Sequence, residues 1–137
     1  MGGGVCAFIR NTIPSVSVEI PVQFSHLEVL AVDVIGRHCK SRFVVVYRPP
    51  GVGSISSQYM SDLIACIRPL IDIKYSAVIV GDVNLVSMCW YSLSGPDDGV
   101  HMSFAELMRE FWFTQLVEEP TRQDNVLDVV LCNKQLL

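Results

Sequence analysis

Apolar positions along this chain fall into short runs separated by turn residues. Leu27 to Ile35 (LEVLAVDVI) is rich in β-branched residues, with charges only at Glu28 and Asp33, and predicts a strand. Arg42 to Arg48 (RFVVVYR) predicts another, stopped by Pro49-Pro50-Gly51. The turn between them, Gly36 to Ser41, is short enough for an antiparallel hairpin. Gly4 to Ile9 predicts a short strand after a glycine run, and Asn11 to Ser15, with Pro14, a turn. Tyr59, Leu63, Ile64, Ile67 and Leu70 recur at helical spacing after the capping serines Ser54 to Ser57, giving an amphipathic helix that ends near Pro69. Ala77 to Val80, with Tyr75 nearby, is a short continuous apolar run, the signature of a strand buried on both faces, and predicts a strand over Tyr75 to Val80. A loop from Leu85 to Val100 follows. Phe104, Leu107, Met108 and Phe111 make a second helical face, Leu116-Val117 a short extended piece, and Asn125 to Cys132 a final strand. The order β-β-β-α-β-α-β is a mixed α/β arrangement in one domain spanning 1–137.

The stretch Tyr75 to Asn84 organises the rest. Gly81 permits a sharp departure from the strand, and Asp82 and Asn84 stand two apart, so an extended chain would point them the same way. Open α/β sheets build sites at such strand ends. Gly, Asp and Asn are also ordinary turn residues, and a plain turn explains these ten positions equally well. Asp128 is the second anomaly, an acid inside VLDVVL. Either it faces water from an edge strand, or it points into a polar site shared with Asp82 and Asn84. Tyr47, closing its strand, reads as core with a wet hydroxyl or as a phosphate contact. Arg48 and Arg122 read as surface positions that could hold phosphate.

Composition narrows the classes. Half of the 137 residues are apolar and the mean hydropathy is +0.40, yet no run approaches the length of a membrane span. The net charge of −4 gives no general attraction to nucleic acid, so such a role needs a local basic patch or a metal ion. The five cysteines are odd in number, widely spaced and lack C-x-x-C. Reduced, buried thiols in an intracellular setting are expected, without zinc. The Met1-Gly2-Gly3 start lacks the Ser or Thr that a myristoylation signal wants at position 6. His26, His38 and His101 have no plausible partner by spacing. VIVGD resembles a Walker B strand, but no G-K-[ST] loop accompanies it.

Five motifs in one order carry a resemblance. They are GGGV (Gly2–Val5), VVYRPPG (Val45–Gly51), VGDVNLVSMCW (Val80–Trp90), QLVEEPTR (Gln115–Arg122) and NVLDVVLCN (Asn125–Asn133). Together they resemble the endonuclease domain of LINE-type (non-LTR) retrotransposons, in the endonuclease/exonuclease/phosphatase superfamily with deoxyribonuclease I and the apurinic/apyrimidinic endonucleases. The resemblance implies a two-sheet α/β sandwich with helices outside, of which this chain is a part. It implies Mg²⁺-dependent (or Mn²⁺-dependent) phosphodiester hydrolysis in DNA, and a reverse transcriptase domain in the same polyprotein. By resemblance, Asp82 orients or deprotonates the attacking water, Asn84 holds the phosphate or metal beside it, Asp128 orients a catalytic histidine, and Tyr47 contacts the scissile phosphate. The family also has Asn- and Glu-bearing strands before GGGV and a Ser-Asp-His triplet after the Leu-Asp strand. None of these occurs among the 137 residues. The resemblance therefore implies a segment truncated at both ends and inactive, or nearly so, by itself. The alternatives are a non-catalytic remnant or interaction scaffold of the same fold, and, within the superfamily, a phosphatase acting on inositol phosphates or lipids.

Overall fold

The computed structural model describes residues 4–51 and 53–133. Its strands are β1 (Ser15–Val18), β2 (Glu28–Ile35), β3 (Lys40–Tyr47), β4 (Ser76–Asp82), β5 (Phe113–Gln115) and β6 (Asp128–Asn133). Its helices are α1 (Gly53–Ile71) and α2 (Gly99–Glu110). The strands form one six-stranded sheet in the order β1-β2-β3-β4-β6-β5. Only β3 and β4 run parallel, because α1 carries the chain back across the sheet between them.

Alternate strand residues face opposite ways. One set, Ala31, Val44, Val46, Ala77, Ile79, Val129 and Leu131, joins Met60, Leu63, Ile67, Phe104, Leu107 and Met108 of the helices in a continuous core. Both helices therefore cover one face, half of the layered arrangement that the resemblance implies. The other set, Leu30, Val32, Phe43, Val45, Val78, Val80 and Val130, is apolar too and stands outside that core. Apolar residues on both faces of the sheet account for the high mean hydropathy. No described helix is long and apolar enough to cross a membrane.

Several expectations need correction. Gly4 to Ile9 is not a strand among the described residues. No neighbour pairs with it, and Phe8 is 96% exposed. The strict alternation in Ser15-Val16-Ser17-Val18, within and just past the expected turn, is the real first strand, paired antiparallel with β2. The first three residues, including most of the glycine run, lie outside the described residues, as does Val52 in the expected Pro50–Gly53 turn. Helix α1 does end near Pro69, at Ile71; a proline in the last turn forfeits only one bond, and Asp72 N still reaches Arg68 O at 3.0 Å. The extended piece expected at Leu116-Val117 begins earlier, at Phe113, and Leu116 N continues the ladder to Val130 O at 2.9 Å. All five cysteines are free, but only Cys66 is buried, where desolvation pushes its thiol up to about 11.

Candidate functional site

Strand register brings the predicted polar residues together. Tyr47 closes β3 opposite Asp82, the last residue of β4, and Asp82 stands opposite Asp128, the first of β6. Glu28, opposite Tyr47, extends the row to β2. Register partners share a face, so these four residues line up across one end of the sheet, on the face without helices. The parallel β3–β4 pair is decisive, because two parallel strands end at the same edge.

Gly81 is required by close approach. Its φ is +142°, and a Cβ there would stand 1.8 Å from the Val46 carbonyl oxygen. The chain then turns rather than staying extended. Asn84 adopts a left-handed φ of 49°, which Asn tolerates, and its amide donates to Asp82 Oδ1 at 3.0 Å. The expectation that extension would point Asp82 and Asn84 the same way is thus corrected, although the turn keeps them adjacent. The buried Asn84 side chain donates from Nδ2 to the Arg48 carbonyl at 2.7 Å.

Arg48 is not a surface residue. It is 3% exposed, and its Nη1 donates to the carbonyls of Val83 and Asn84, both at 3.0 Å, and its Nη2 to Ser56 Oγ at 2.6 Å. Its own amide donates to Asp82 O at 2.8 Å. Arg48 thereby grips the Asp82–Asn84 turn from below.

Asp128 begins β6 and is exposed, although β6 is an inner strand. Of the two readings left open for it, it faces water, though not from an edge strand, and it also stands beside Asp82. Thr121 Oγ1 accepts the amides of Leu127 and Asp128 at 3.0 and 3.2 Å, fixing the start of β6. The loop after Asn84 is tied to the same segment by Val83 N to Leu127 O at 3.1 Å, Ser87 N to Asn125 Oδ1 at 2.7 Å and Trp90 Nε1 to Val126 O at 3.1 Å. Trp90 also packs edge-on against Phe104. Thr121, Asn125 and Trp90 therefore hold the two acids in place. Sequence reasoning quoted all three within its motifs without assigning this work.

Burial pushes the Asp82 carboxyl up, and the Asp128 charge pushes it further; the Asn84 amide and the Arg122 charge pull the other way. Among the described residues no cation forms an ion pair with Asp82. Two of the three histidines do have partners: His26 Nε2 lies 2.9 Å from Asp62, and His101 Nδ1 2.8 Å from Asp98. Neither is on the row. Two neighbouring carboxylates, one under strain from burial and like charge, suit a hard divalent cation, which usually takes one or two carboxylates and completes its shell with water and phosphate. Among the described residues no three His, Cys, Asp or Glu side chains converge as a metal cage.

No protein-family model matches the sequence, and neither does any curated protein. Solved structures do. The endonuclease domain of TRAS1, a telomere-specific non-LTR retrotransposon, matches with a TM-score of 0.62 at 19% identity, over 91% of this chain and 57% of that one. The human Nocturnin catalytic domain matches with a TM-score of 0.54 at 14% identity, over 88% of this chain and 47% of that one. The chain spans about half the length of these structures. The likeness establishes the fold, that of the deoxyribonuclease I-like endonucleases.

Proposed function

We propose that this chain is part of a metal-dependent phosphodiester hydrolase domain acting on DNA, and that Tyr47, Asp82, Asn84 and Asp128 belong to its site. The observation that carries the reading is the row: two carboxylates and a phenol delivered side by side by β3, β4 and β6. The order of the sequence motifs supports the same reading. So does the likeness in fold to a retrotransposon endonuclease domain.

In this reading Asp82 holds the attacking water and takes its proton, a role helped by a carboxyl whose pKa burial pushes up from its ordinary value. The Asn84 side chain is anchored by the Arg48 carbonyl and keeps its oxygen for the phosphate or the cation. The Tyr47 hydroxyl donates to a phosphoryl oxygen. Asp128, exposed beside Asp82, orients a histidine supplied from outside these 137 residues. Mg²⁺ or Mn²⁺, if held there, would supply the positive charge that a chain of net charge −4 lacks opposite a phosphate. Asp82 and Asn84 are the residues that would supply oxygen donors to the ion. The wider setting, a polyprotein with a reverse transcriptase domain, belongs to the same proposal. With Glu and His partners supplied from elsewhere, these 137 residues alone nick DNA weakly or not at all, because cooperative sites lose orders of magnitude when members are removed.

The absence of a third acidic or histidine ligand among the described residues favours a second reading, a non-catalytic scaffold of the same fold. Nicking of supercoiled plasmid with Mg²⁺ or Mn²⁺ separates them. The assay compares this chain, a version extended at both ends, and Asp82→Ala in each, with folding checked by circular dichroism. Asp82-dependent nicking by the extended version supports the hydrolase. Folded protein that never nicks supports the scaffold.

A further inference from the structure

The Asp82–Asn84 turn forms part of the wall of a cavity of about 380 Å³, lined by Arg48, Gly53, Ser56, Ser57, Asn84 and Asp98 among others. Helix α1 begins at its rim. A helix start carries unpaired amides and the positive end of the helix dipole, and the first turn of α1 contains no acidic residue to occupy them. A helix start alone is not a site. Arg48 is the independent observation. It is 3% exposed, every acceptor recorded for its guanidinium is neutral, and Nε has no partner. Among the described residues no carboxylate lies within ion-pair distance of it. A buried cation without a counter-ion is expensive. Desolvation accordingly drags its pKa down, with Asp98 and Asp82 opposing from a distance. Asp98 is itself engaged elsewhere, accepting the His101 amide at 2.7 Å and facing the His101 ring.

We infer that this cavity is an anion subsite that receives a phosphate group of the substrate strand adjacent to the one held at the row. The inference rests on the hydrolase reading for its substrate. Asn84 lies both in the turn beside Asp82 and in the cavity wall, and Arg48 follows Tyr47 directly in the chain, so a phosphodiester strand crossing the row reaches the cavity next. Ser56 Oγ already accepts from Arg48, which leaves its hydroxyl proton to donate to an anion. Ser57 and the first amides of α1 complete the donors, and the phosphate supplies the charge that Arg48 lacks.

The test is an amide-resolved NMR titration of the folded chain with inorganic phosphate, against chloride at equal ionic strength. Wild type and Ser57→Glu are compared. We expect saturable shifts at Gly53, Ser56 and Ser57 with phosphate only. Ser57→Glu should weaken binding about tenfold or more by placing a carboxylate where the anion sits, while favouring the helix start. Absent shifts, equal shifts with chloride, or unaltered binding by Ser57→Glu overturn the subsite. Phosphate binding without nicking by the extended chain leaves the subsite standing and removes the hydrolase. Asp82-dependent nicking without phosphate binding removes the subsite alone.

Discussion

At one end of β3, Arg42 faces Asp33 on β2; at the other, Tyr47 leads across to Asp82 and Asp128. The first end is neutralised. Arg42 holds Asp33 in a fork at 2.8 and 3.0 Å, Tyr75 donates to it at 2.9 Å, and Lys40 lies 3.2 Å away. The Arg42 hydrogen bonds, against the opposing effect of burial, bring the Asp33 carboxyl down to about 2. At the second end burial comes first, a second acid adds to it, and the Asp82 carboxyl goes up. One sheet thus uses the same residue type in two ways. Matched charges lock β2, β3 and the start of β4. Unmatched charges keep a cost in place that a cation or a proton can release.

The largest way to break this contrast is backbone damage at the site end. Gly81→Ala should cost at least about 4 kcal/mol, since the new Cβ collides with backbone and no rotamer avoids it. A urea melt close to the parent's would refute that. Next comes the neutralised end, where Asp33→Asn should cost about 3 kcal/mol by leaving Arg42 without its acid. Asp33 also sets a pH dependence. With a folded pKa of about 2 against 3.8, it contributes about 2 kcal/mol above pH ~4, lost as the pH falls towards 2. Acid titration of stability should show this loss in the parent and not in the variant.

Arg48→Met should cost about 2 kcal/mol by stranding the carbonyls of Val83 and Asn84. Amide hydrogen exchange should speed up at Val83 and Asn84 more than at Val44. The smallest effect has the opposite sign. Asp82→Asn should stabilise the chain by about 0.5 kcal/mol at neutral pH while removing any nicking. Because the folded Asp82 pKa is raised, its penalty exists only when ionised and disappears as the pH falls through that pKa. The advantage of the variant should therefore vanish on acidification, the reverse of the Asp33 case. An Asp82→Asn chain destabilised as much as Asp33→Asn would erase the distinction between the two ends.

Much of this was legible in the chain because the relevant signals are local. The apolar runs around Val44 and Ile79, the helical spacing of Leu63, Ile67 and Leu70, and the turn residues Gly81 to Asn84 each report on their own neighbourhood. Asp82, Asn84, Asp128 and Tyr47 were singled out before any register was known, and three of them fall on one row. Long-range residues were harder. Arg48 looked like a surface cation because its acceptors, Val83 and Asn84, lie more than thirty residues on and are backbone carbonyls, which carry no sequence signature. His101 was passed over for a different reason. Its partner Asp98 is three residues away, but the pair forms only because a helix starts at Gly99. Asp128 was read as embedded in its strand because that strand was drawn to begin at Asn125, whereas the Thr121 hydroxyl and the tight Arg122–Asn125 turn start it three residues later, at Asp128 itself.

The strand order has a further consequence, for the nascent chain on the ribosome. β4 pairs on one side with β3, already made, and on the other with β6, which begins about 45 residues later. At ordinary elongation rates that interval lasts roughly 2–10 s. Throughout it, an apolar strand with Val78, Ile79 and Val80 presents an open hydrogen-bonding edge to neighbouring polysomes. Soluble yield should then depend on how quickly the segment from Leu85 to Leu127 is translated, and a holdase acting before β6 emerges should raise it more than one added to the finished chain.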